Sequence, residues 1–492
     1  MVRLALIGFA LLLAACNPPD TGTIMFAVST APGVLDPRLA SDAASERANA
    51  LLYDRLVSLD EQGDPQPSMA QWQRLGPAHY RIKLLPQRAA FWDGHIPDAA
   101  DVVATYRSIL EPGLGSPHSS ALAHVARIAA AGDDEVDFHL TRPDPAFPSR
   151  LTIGIAPAQL LGKGRLAREP LGSGLFSFVE WRADGGLLLN RRADGQQVAL
   201  IPVADPTMRA LKLLRGEAHL VQNDLPAELY AYLADSPGLR LQEHPGTTFA
   251  YIGFNLADPV LSDVRVRTAI AHAIDRDAII RHLFGGRAQT AESVLRPEHW
   301  AGVGGLTPYR YDPALAREYL RLAGYGMHKP LAISYKTSTD PFRVRIAHVF
   351  QSQLVKVGIR LKISSYDWGT FFGDIKAGRF QMYGLAWVGV NTPDILRYAF
   401  HSESMPPGGA NRGQYRSSRV DRLIEQAERA APDAAAELYA EIQRKVHKDL
   451  VYVPLWYESN VVASRGLEGY APTHDGSYMT LNAVRMSDAR HE

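Results

Sequence analysis

The chain has 492 residues, 46% of them hydrophobic and 21% charged, and this composition predicts a globular protein of two or three domains with large cores. Its 52 basic and 52 acidic residues cancel to a net charge of zero. A nucleic-acid-binding protein normally shows a basic excess or stripe, so we expect no nucleic acid among the partners. The single cysteine excludes an internal disulfide and a zinc site built from cysteines.

The N-terminus carries the pattern of a secretory signal, in which Arg3, the apolar run 4–13 and two alanines lead to Cys16. The apolar run is too short to cross the ~30 Å hydrocarbon core of a membrane as a helix. Its end, Leu13-Ala14-Ala15-Cys16, matches the bacterial lipobox. We therefore predict a signal peptide over residues 1–15, cleaved before Cys16, and lipidation of the Cys16 thiol. The alternative is an ordinary cleaved signal with an incidental cysteine.

Residues 16–23 are polar and contain proline and glycine, which predicts a tether. The sequence has no later stretch of 18 apolar residues, so we expect no membrane-spanning helix. These features predict a protein on the periplasmic side of the cell envelope, anchored to a membrane through the lipid on Cys16. An aspartate directly after the lipidated cysteine would favour retention in the inner membrane. Asn17 stands there instead, so the sequence does not choose between the inner and the outer membrane.

The body of the chain mixes strand and helix patterns. Alternation over residues 80–84 predicts a strand, and Asp98 is the N-cap of a predicted helix over 99–110. The C-terminal half alternates strands and helices over residues 331–335, 341–356, 359–363, 420–430, 434–448 and 451–456. Its first three elements predict a strand–helix–strand unit with a right-handed parallel crossover.

The sequence lacks the common motifs of catalysis. There is no GxSxG, no HExxH and no phosphate-binding loop. His118 and His124 are six residues apart, and His272 and His282 are ten apart, so neither pair has the i,i+4 spacing for a shared metal. We therefore predict a protein that is not an enzyme and has no cofactor and no metal site.

One stretch is more specific than these patterns. Residues 249–255 predict a strand, and residues 262–280 predict a long helix that Ser262 or Asp263 caps and Gly285 ends. Within it, Val266-Arg267 and Ala273-Ile274-Asp275-Arg276 closely resemble the signature of the family 5 solute-binding proteins of ABC importers, which bind peptides, oligopeptides and nickel. Further matches in the family's order are Leu35-Asp36-Pro37, Phe91-Trp92-Asp93-Gly94, Pro170-Leu171-Gly172-Ser173-Gly174 and Tyr311-Asp312-Pro313.

The resemblance implies an α/β fold, a two-lobed periplasmic binding protein of type II, cluster C, with hinge-linked lobes and the ligand in the cleft between them. It places lobe I at residues 24–254, with an inserted subdomain over roughly 45–165. Lobe II then covers 255–464, and residues 465–492 return to lobe I. The implied partners are an ABC permease pair with its ATPase subunits, and a monomer is expected.

The resemblance also implies a ligand site, with one departure from the family pattern. Peptide-binding relatives carry an aspartate three residues after a tryptophan, and its carboxylate pairs with the α-ammonium of the peptide. Here the tryptophan is Trp387 and the third residue is Val390, which cannot hold a buried ammonium. Asp394 is the nearest substitute, and Asp374 is a second candidate.

The remaining candidate ligand-binding residues are Tyr383, Gly389, Asn391 and Arg412. Arg412 suits a ligand carboxylate because its guanidinium pairs with two oxygens at once. The alternatives are structural. Trp387 and Tyr383 also suit a packed core, and Arg412 also suits an ion pair that stabilises its own loop.

The sequence therefore predicts the substrate-binding component of an ABC importer that captures short peptides or peptide-like solutes. Alternatives within the same fold are a metal chelate, a sugar-like solute or another small molecule. The alternative from a different class is a sensory or chaperone subunit without a transport role.

Overall fold

The computed structural model describes residues 22–487. The predicted signal peptide, Cys16 and most of the predicted tether lie outside the described residues, so cleavage and lipidation stay predictions. Within residues 22–487, no helix has the length and apolar character needed to span a membrane.

The chain alternates strands and helices from end to end. The strands are β1 Ile24–Val28, β2 Val57–Leu59, β3 Pro65–Pro67, β4 Ala70–Gly76, β5 His79–Leu84, β6 Val125–Ala130, β7 Glu135–Leu140, β8 Phe176–Trp181, β9 Leu187–Arg191, β10 Gln197–Pro202, β11 Leu220–Gln222, β12 Leu239–Phe254, β13 Ala288–Thr290, β14 Leu331–Ser338, β15 Ile359–Tyr366, β16 Met382–Trp387, β17 Tyr452–Arg465, β18 Leu467–Glu468 and β19 Arg485–Met486. The helices are α1 Ala43–Leu52, α2 Ala99–Leu110, α3 Pro206–Leu214, α4 Ala227–Ala234, α5 Val264–Ala273, α6 Arg276–Leu283, α7 Pro313–Leu322, α8 Pro341–Leu354, α9 Trp368–Lys376, α10 Asp394–Phe400, α11 Ser418–Ala427 and α12 Pro432–Asp449.

One mixed sheet of eleven strands runs through the molecule, in the order β15-β14-β16-β12-β17-β11-β1-β10-β9-β8, with β13 beside β17 outside this path. The antiparallel strands β12 and β17, of 16 and 14 residues, lie in its middle and belong to both halves. We call the half built on β1 and β8–β11 lobe I, and the half built on β13–β16 lobe II.

The two long strands change partners part-way along. Residues 239–244 of β12 pair with residues 460–465 of β17, and that part of β17 also pairs with β11 of lobe I. Residues 249–254 of β12 pair with β16 of lobe II. Between these parts the β12–β17 register shifts between His244 and Thr248. Gly246 lies in this shift, where a Cβ atom would be 2.1 Å from the carbonyl oxygen of Glu458. The predicted lobe boundaries after residues 254 and 464 stay predictions.

Lobe II has the predicted parallel unit. Strands β14 and β15 pair in parallel, with Leu331 opposite Ile359, and α8 joins them. One apolar cluster, which includes Ile270 and Phe350, covers one face of the sheet, and a second, which includes Phe371 and Leu423, covers the other. Along β14 and at the start of β15 buried residues alternate with more exposed ones, so one face of each strand is the more deeply buried.

Lobe I carries an additional layer. Strands β4, β5, β7 and β6 form a four-stranded antiparallel sheet. Helix α2 packs on this sheet through Tyr106, whose ring meets Phe138 edge-on with 5.5 Å between centroids. The capping box of Asp98 and Asp101 begins the helix. The predicted strand 80–84 and helix 99–110 are therefore confirmed within β5 and α2. We call this layer the inserted subdomain.

The prediction of one long helix after residue 262 is wrong, because the structure has two helices, α5 and α6, with a break at Ile274 and Asp275. Ile274 is extended, with φ −100° and ψ 116°. Asp275 accepts a hydrogen bond from the backbone N–H of Ala278 and thereby caps α6, while its own N–H donates to Gln353 Oε1. The hydrogen bond to Gln353 on α8 fixes this break. The hydrophobic periodicity of residues 262–280 alone does not reveal it.

Two buried arginines of the signature segment bind backbone carbonyls. Arg267 donates hydrogen bonds of 2.6 to 3.0 Å to four carbonyl oxygens, those of Leu261, Ser262, Asp449 and Leu450. It therefore joins the start of α5 to the end of α12. Arg276 donates in the same way to the carbonyl oxygens of Ala291, Tyr309 and Pro454.

We expect Arg267→Met to lower the free energy of unfolding by about 2–4 kcal/mol, because four carbonyls lose a charged donor while the aliphatic stem is kept. Urea denaturation of the ligand-free protein measures this loss. The matched control is Arg321→Met on α7, since Arg321 is exposed and pairs with Glu318 at the surface. Equal stability of Arg267→Met and wild type would contradict the assigned role.

Candidate functional site

Three adjacent strands and one helix bring five aromatic side chains together in lobe II. We call them the aromatic wall, and its members are Tyr251 of β12, Tyr383 and Trp387 of β16, Tyr452 of β17 and Tyr398 of α10. Gly253 pairs with both Tyr383 and Tyr452 across the sheet. Its missing side chain leaves space for the ring of Tyr383, because a Cβ atom there would lie 2.2 Å from that ring's Cζ.

Tyr251 is at the centre of this wall. Its ring stacks on Tyr452 with 4.1 Å between centroids and on Trp387 with 6.0 Å, and it meets Tyr383 edge-on at 6.0 Å. Trp387 also meets Tyr398, at 5.8 Å. The structure therefore brings the predicted residues Trp387 and Tyr383 together, with Trp387 half-buried and Tyr383 fully buried.

Several polar atoms of the wall have no partner among residues 22–487. The Trp387 Nε1, the Tyr383 hydroxyl and the Tyr452 hydroxyl are buried and make no hydrogen bond of good geometry there, although Tyr251 interacts with both phenols and Trp387 with that of Tyr452. Burial raises the pKa of Tyr383 and of Tyr452 well above the usual value, so both phenols carry their protons. Buried donors without partners are costly in a folded protein, and their clustering favours a polar ligand.

Arg412 lies against this wall as a buried cation, only 8% exposed. Its guanidinium stacks over the rings of Trp387 at 4.5 Å and Phe372 at 5.2 Å, and it donates one hydrogen bond of 3.2 Å, to the Tyr251 hydroxyl. In the described part of the chain no carboxylate lies within ion-pair distance of it. Among the described residues, Arg412 therefore forms no ion pair that could stabilise its own loop. A buried cation without an anion is expensive, and a ligand anion would remove that cost.

Asp394, the substitute considered for the absent aspartate, forms an ion pair with Arg150 of the inserted subdomain. Arg150 is itself buried and also donates to Asp144, at 2.7 Å. Burial raises the pKa of Asp394, and the charge of Arg150 opposes that rise. The second candidate, Asp374, pairs with Lys336 and Arg379. Both acids therefore already have cationic partners within the chain.

A second ion-pair cluster crosses between the lobes nearby. Arg142 of the inserted subdomain pairs with Glu428 of lobe II at 2.6 Å, and Arg397 donates to the same carboxylate at 2.6 and 3.0 Å. Burial alone would raise the pKa of Glu428, but Arg397, Arg150 and Arg142 lower it below its usual value. The lobes are therefore in direct contact through charges that are paired.

Gly389 and Asn391 occupy the loop that follows β16. Gly389 has a φ of +63°, and a Cβ atom there would lie 3.4 Å from the carbonyl oxygen of Asp475 in the C-terminal segment. The Asn391 side chain accepts a hydrogen bond from Thr247 at 3.3 Å, and its carbonyl oxygen lies 3.2 Å from His299 Nε2. Asn391 therefore contacts Thr247 in the β12 register shift, whereas Gly389 lies against the C-terminal segment.

Lobe I contributes a cavity of about 170 Å³. Polar residues of its lining are Glu46, Asn49, Arg55, His118 and Thr152. Thr152 is two residues from Arg150, which pairs with Asp394 of lobe II. Sequence reasoning missed Glu46, Tyr251, Tyr398 and Tyr452. Tyr251 and Tyr452 lie in segments that the sequence predicts as strands, 249–255 and 451–456, but nothing in the sequence assigned them to the site.

Two groups of side chains have the composition of a metal site. They are His79, Asp137 and His139 on the β5–β7 pair, and His95, Asp98 and Asp101 at the start of α2. Asp137 makes a bidentate salt bridge to Arg81, with both bonds at 2.8 Å, and Asp98 and Asp101 form the capping box of α2. These carboxylates thus have structural partners, and the strand register that joins His79 to His139 was not evident in the sequence.

Residues 71–405, more than half of the chain, match the family described as bacterial extracellular solute-binding proteins, family 5, middle region. This chain belongs to the family 5 solute-binding proteins. A probable di/tripeptide-binding protein 5 of Pseudomonas aeruginosa, strain UCBPP-PA14, is 26% identical over 517 residues, which cover 95% of this chain and 97% of the relative.

Two solved structures show the same fold. The oligopeptide-binding protein AppA of Bacillus subtilis, in complex with a nonapeptide, has a TM-score of 0.86 at 23% identity and covers 95% of this chain and 99% of its own. NikZ of Campylobacter jejuni, in complex with Ni(L-His), has a TM-score of 0.84 at 21% identity, with 94% and 99% covered. The predicted α/β fold of a two-lobed periplasmic binding protein is thereby confirmed. As a family 5 member, this protein binds a solute and is not an enzyme.

We expect Glu428→Gln to lower the free energy of unfolding by about 1–3 kcal/mol at pH 7, because Arg142 and Arg397 lose their shared anion. The folded-state pKa of Glu428 is lowered, so its stabilisation is complete above the pKa of an unfolded glutamate and disappears as pH falls through the lowered value. Urea denaturation at pH 7 and pH 3 should show a gap between variant and wild type that shrinks in acid. The exposed Glu318→Gln is the control, and a gap that widens in acid would contradict the assignment.

Proposed function

We propose that this protein is the substrate-binding component of an ABC importer and captures short peptides or peptide-like solutes that carry a carboxylate. The observation that carries the proposal is the buried, unpaired guanidinium of Arg412 within the aromatic wall. A ligand carboxylate would accept two N–H bonds from its planar fork and neutralise its charge.

The aromatic wall supports a ligand of peptide type rather than a strongly charged one. Its rings give a large apolar surface, while the unpartnered Trp387 Nε1 and the phenols of Tyr383 and Tyr452 offer hydrogen-bond donors to carbonyl oxygens. Peptide backbone presents such acceptors at each residue. The di/tripeptide-binding relative, which spans nearly the same length, supports the same substrate class.

The proposed working cycle follows from the two lobes. The ligand enters an open cleft, the lobes close over it, and the closed protein docks on a permease pair that separate ATPase subunits drive. Lipidation at Cys16 would keep a monomeric binding protein on the periplasmic surface near its permease. Delivery to a sensor instead of a permease would use the same ligand site.

We expect Arg412→Met to weaken ligand binding about 10- to 100-fold, the loss that corresponds to one charge-assisted hydrogen-bonded pair. The ligand-free variant should unfold at the same temperature as wild type or higher, because an unpaired buried charge has been removed. A library of di- and tripeptides, scanned by thermal shift and then by calorimetry, measures both effects.

The matched control for Arg412→Met is Arg360→Met, which changes an exposed arginine on β15. Stabilisation by peptides that is lost in Arg412→Met and kept in Arg360→Met supports the proposal. If no peptide stabilises wild type while a metal chelate or a sugar acid does, peptide import is ruled out and one of the alternative solutes takes its place.

A further inference from the structure

Glu46 is a carboxylate of lobe I that faces open space inside the molecule. It lies on α1, in the first turn after the N-cap Asp42, and its side chain lines the 170 Å³ cavity. The side chain keeps 49% of its surface accessible, yet burial among the surrounding protein raises the pKa of Glu46 to about 7.

No cation of the described chain pairs with this carboxylate. The nearest basic atom is His118 Nε2, at 3.9 Å, and burial lowers the pKa of His118 to about 4, so its ring is neutral at pH 7. Arg55 acts on Glu46 from a greater distance and lowers its pKa, whereas Asp42 raises it. In contrast to Asp394 and Asp374, Glu46 is therefore an acid without a charged partner within residues 22–487.

Two further polar atoms at the cavity are buried without hydrogen bonds in the described chain, Asn49 Oδ1 and His118 Nε2. Asn49 Nδ2 donates to the carbonyl oxygen of Val34, which leaves the amide oxygen as an acceptor. A primary ammonium has three donors and no acceptor. The Glu46 carboxylate and the Asn49 amide oxygen are acceptors of the kind that such a group requires.

Tyr398 of lobe II is near enough to Glu46 for the charge of Glu46 to affect its pKa. Burial raises the pKa of Tyr398, the charge of Arg412 lowers it, and the charge of Glu46 raises it. One phenol thus lies within the electrostatic reach of an unpaired anion from lobe I and an unpaired cation from lobe II. The titratable and charged groups that face Glu46 are Asp42, Arg55 and His118 of lobe I and Tyr398 of lobe II.

We propose that Glu46 binds the ammonium group of the ligand whose carboxylate binds Arg412, so that the cleft selects zwitterions and each lobe holds one end. This inference rests on the proposed function. It gives the ligand ammonium a carboxylate partner, which the side chain of Val390 cannot be. The charge pattern also couples binding to closure, because the two ligand charges are satisfied together only when the lobes meet.

The test compares a dipeptide library with the same library acetylated at the N-terminus, by thermal shift and calorimetry at pH 7.5. Wild type should bind free dipeptides at least about tenfold more tightly than their N-acetyl forms. Glu46→Gln should weaken the free forms to the level of the acetylated ones and leave the acetylated ones unchanged. Glu437→Gln, an exposed site on α12, is the control and should keep the wild-type preference.

The pH dependence gives an independent readout. Ionised Glu46 is the form that attracts an ammonium, so affinity for a free dipeptide should fall by up to about tenfold per pH unit below pH 7. Glu46→Gln should remove this acidic limb. The glutamine has the same shape and the glutamate has no partner to lose, so the variant should fold with wild-type stability.

The outcomes separate this inference from the proposed function. Equal affinity for free and acetylated dipeptides, or a preference that survives Glu46→Gln, overturns the role of Glu46 and leaves peptide binding intact. Failure of wild type to bind either library overturns both. Loss of preference in Glu46→Gln together with an unchanged preference in Glu437→Gln supports both.

Discussion

The antiparallel pair of β12 and β17 is the feature on which the rest of the structure depends. These strands belong to the sheets of both lobes, so a single ladder of backbone hydrogen bonds holds the two halves together. The same ladder carries Tyr251 and Tyr452 and positions Trp387 and Tyr383 on the neighbouring β16. The partner change between His244 and Thr248 lies a few residues from Tyr251.

Charges in this protein fall into two groups with different consequences. Where the lobes touch outside the wall, Arg150, Asp394, Arg142 and Glu428 neutralise one another, so contact there does not leave isolated buried charge. Arg412, beside the wall, and Glu46, in the lobe I cavity, have no such partners in the described chain. Unpaired charge is costly in a low-dielectric space, and a ligand of complementary charge would offset that cost at Arg412 and Glu46.

Much of the fold was predictable because its signals are local. The periodicity of residues 341–356, the capping pair at Asp98 and the signature around Val266-Arg267 led to elements that the structure contains. The break at Asp275 was not predictable, because its hydrogen bond to Gln353 comes from another helix. The site was harder still. Asp394 is close to Trp387 in sequence, but its partner Arg150 comes from the other lobe, and Glu46 lies far from any motif. Contacts between the two lobes decide which charges are paired, and spacing along one chain does not contain that information.

The measurement that tests the central claim most directly is the identity of the molecules that the protein retains after gentle purification from a periplasm. Wild type, Arg412→Met and Glu46→Gln would be denatured and the released small molecules identified by mass spectrometry. This account predicts short peptides with free amino and carboxyl ends in wild type, and a strong depletion of them in both variants. A solute without a carboxylate, retained equally by wild type and Arg412→Met, would contradict it.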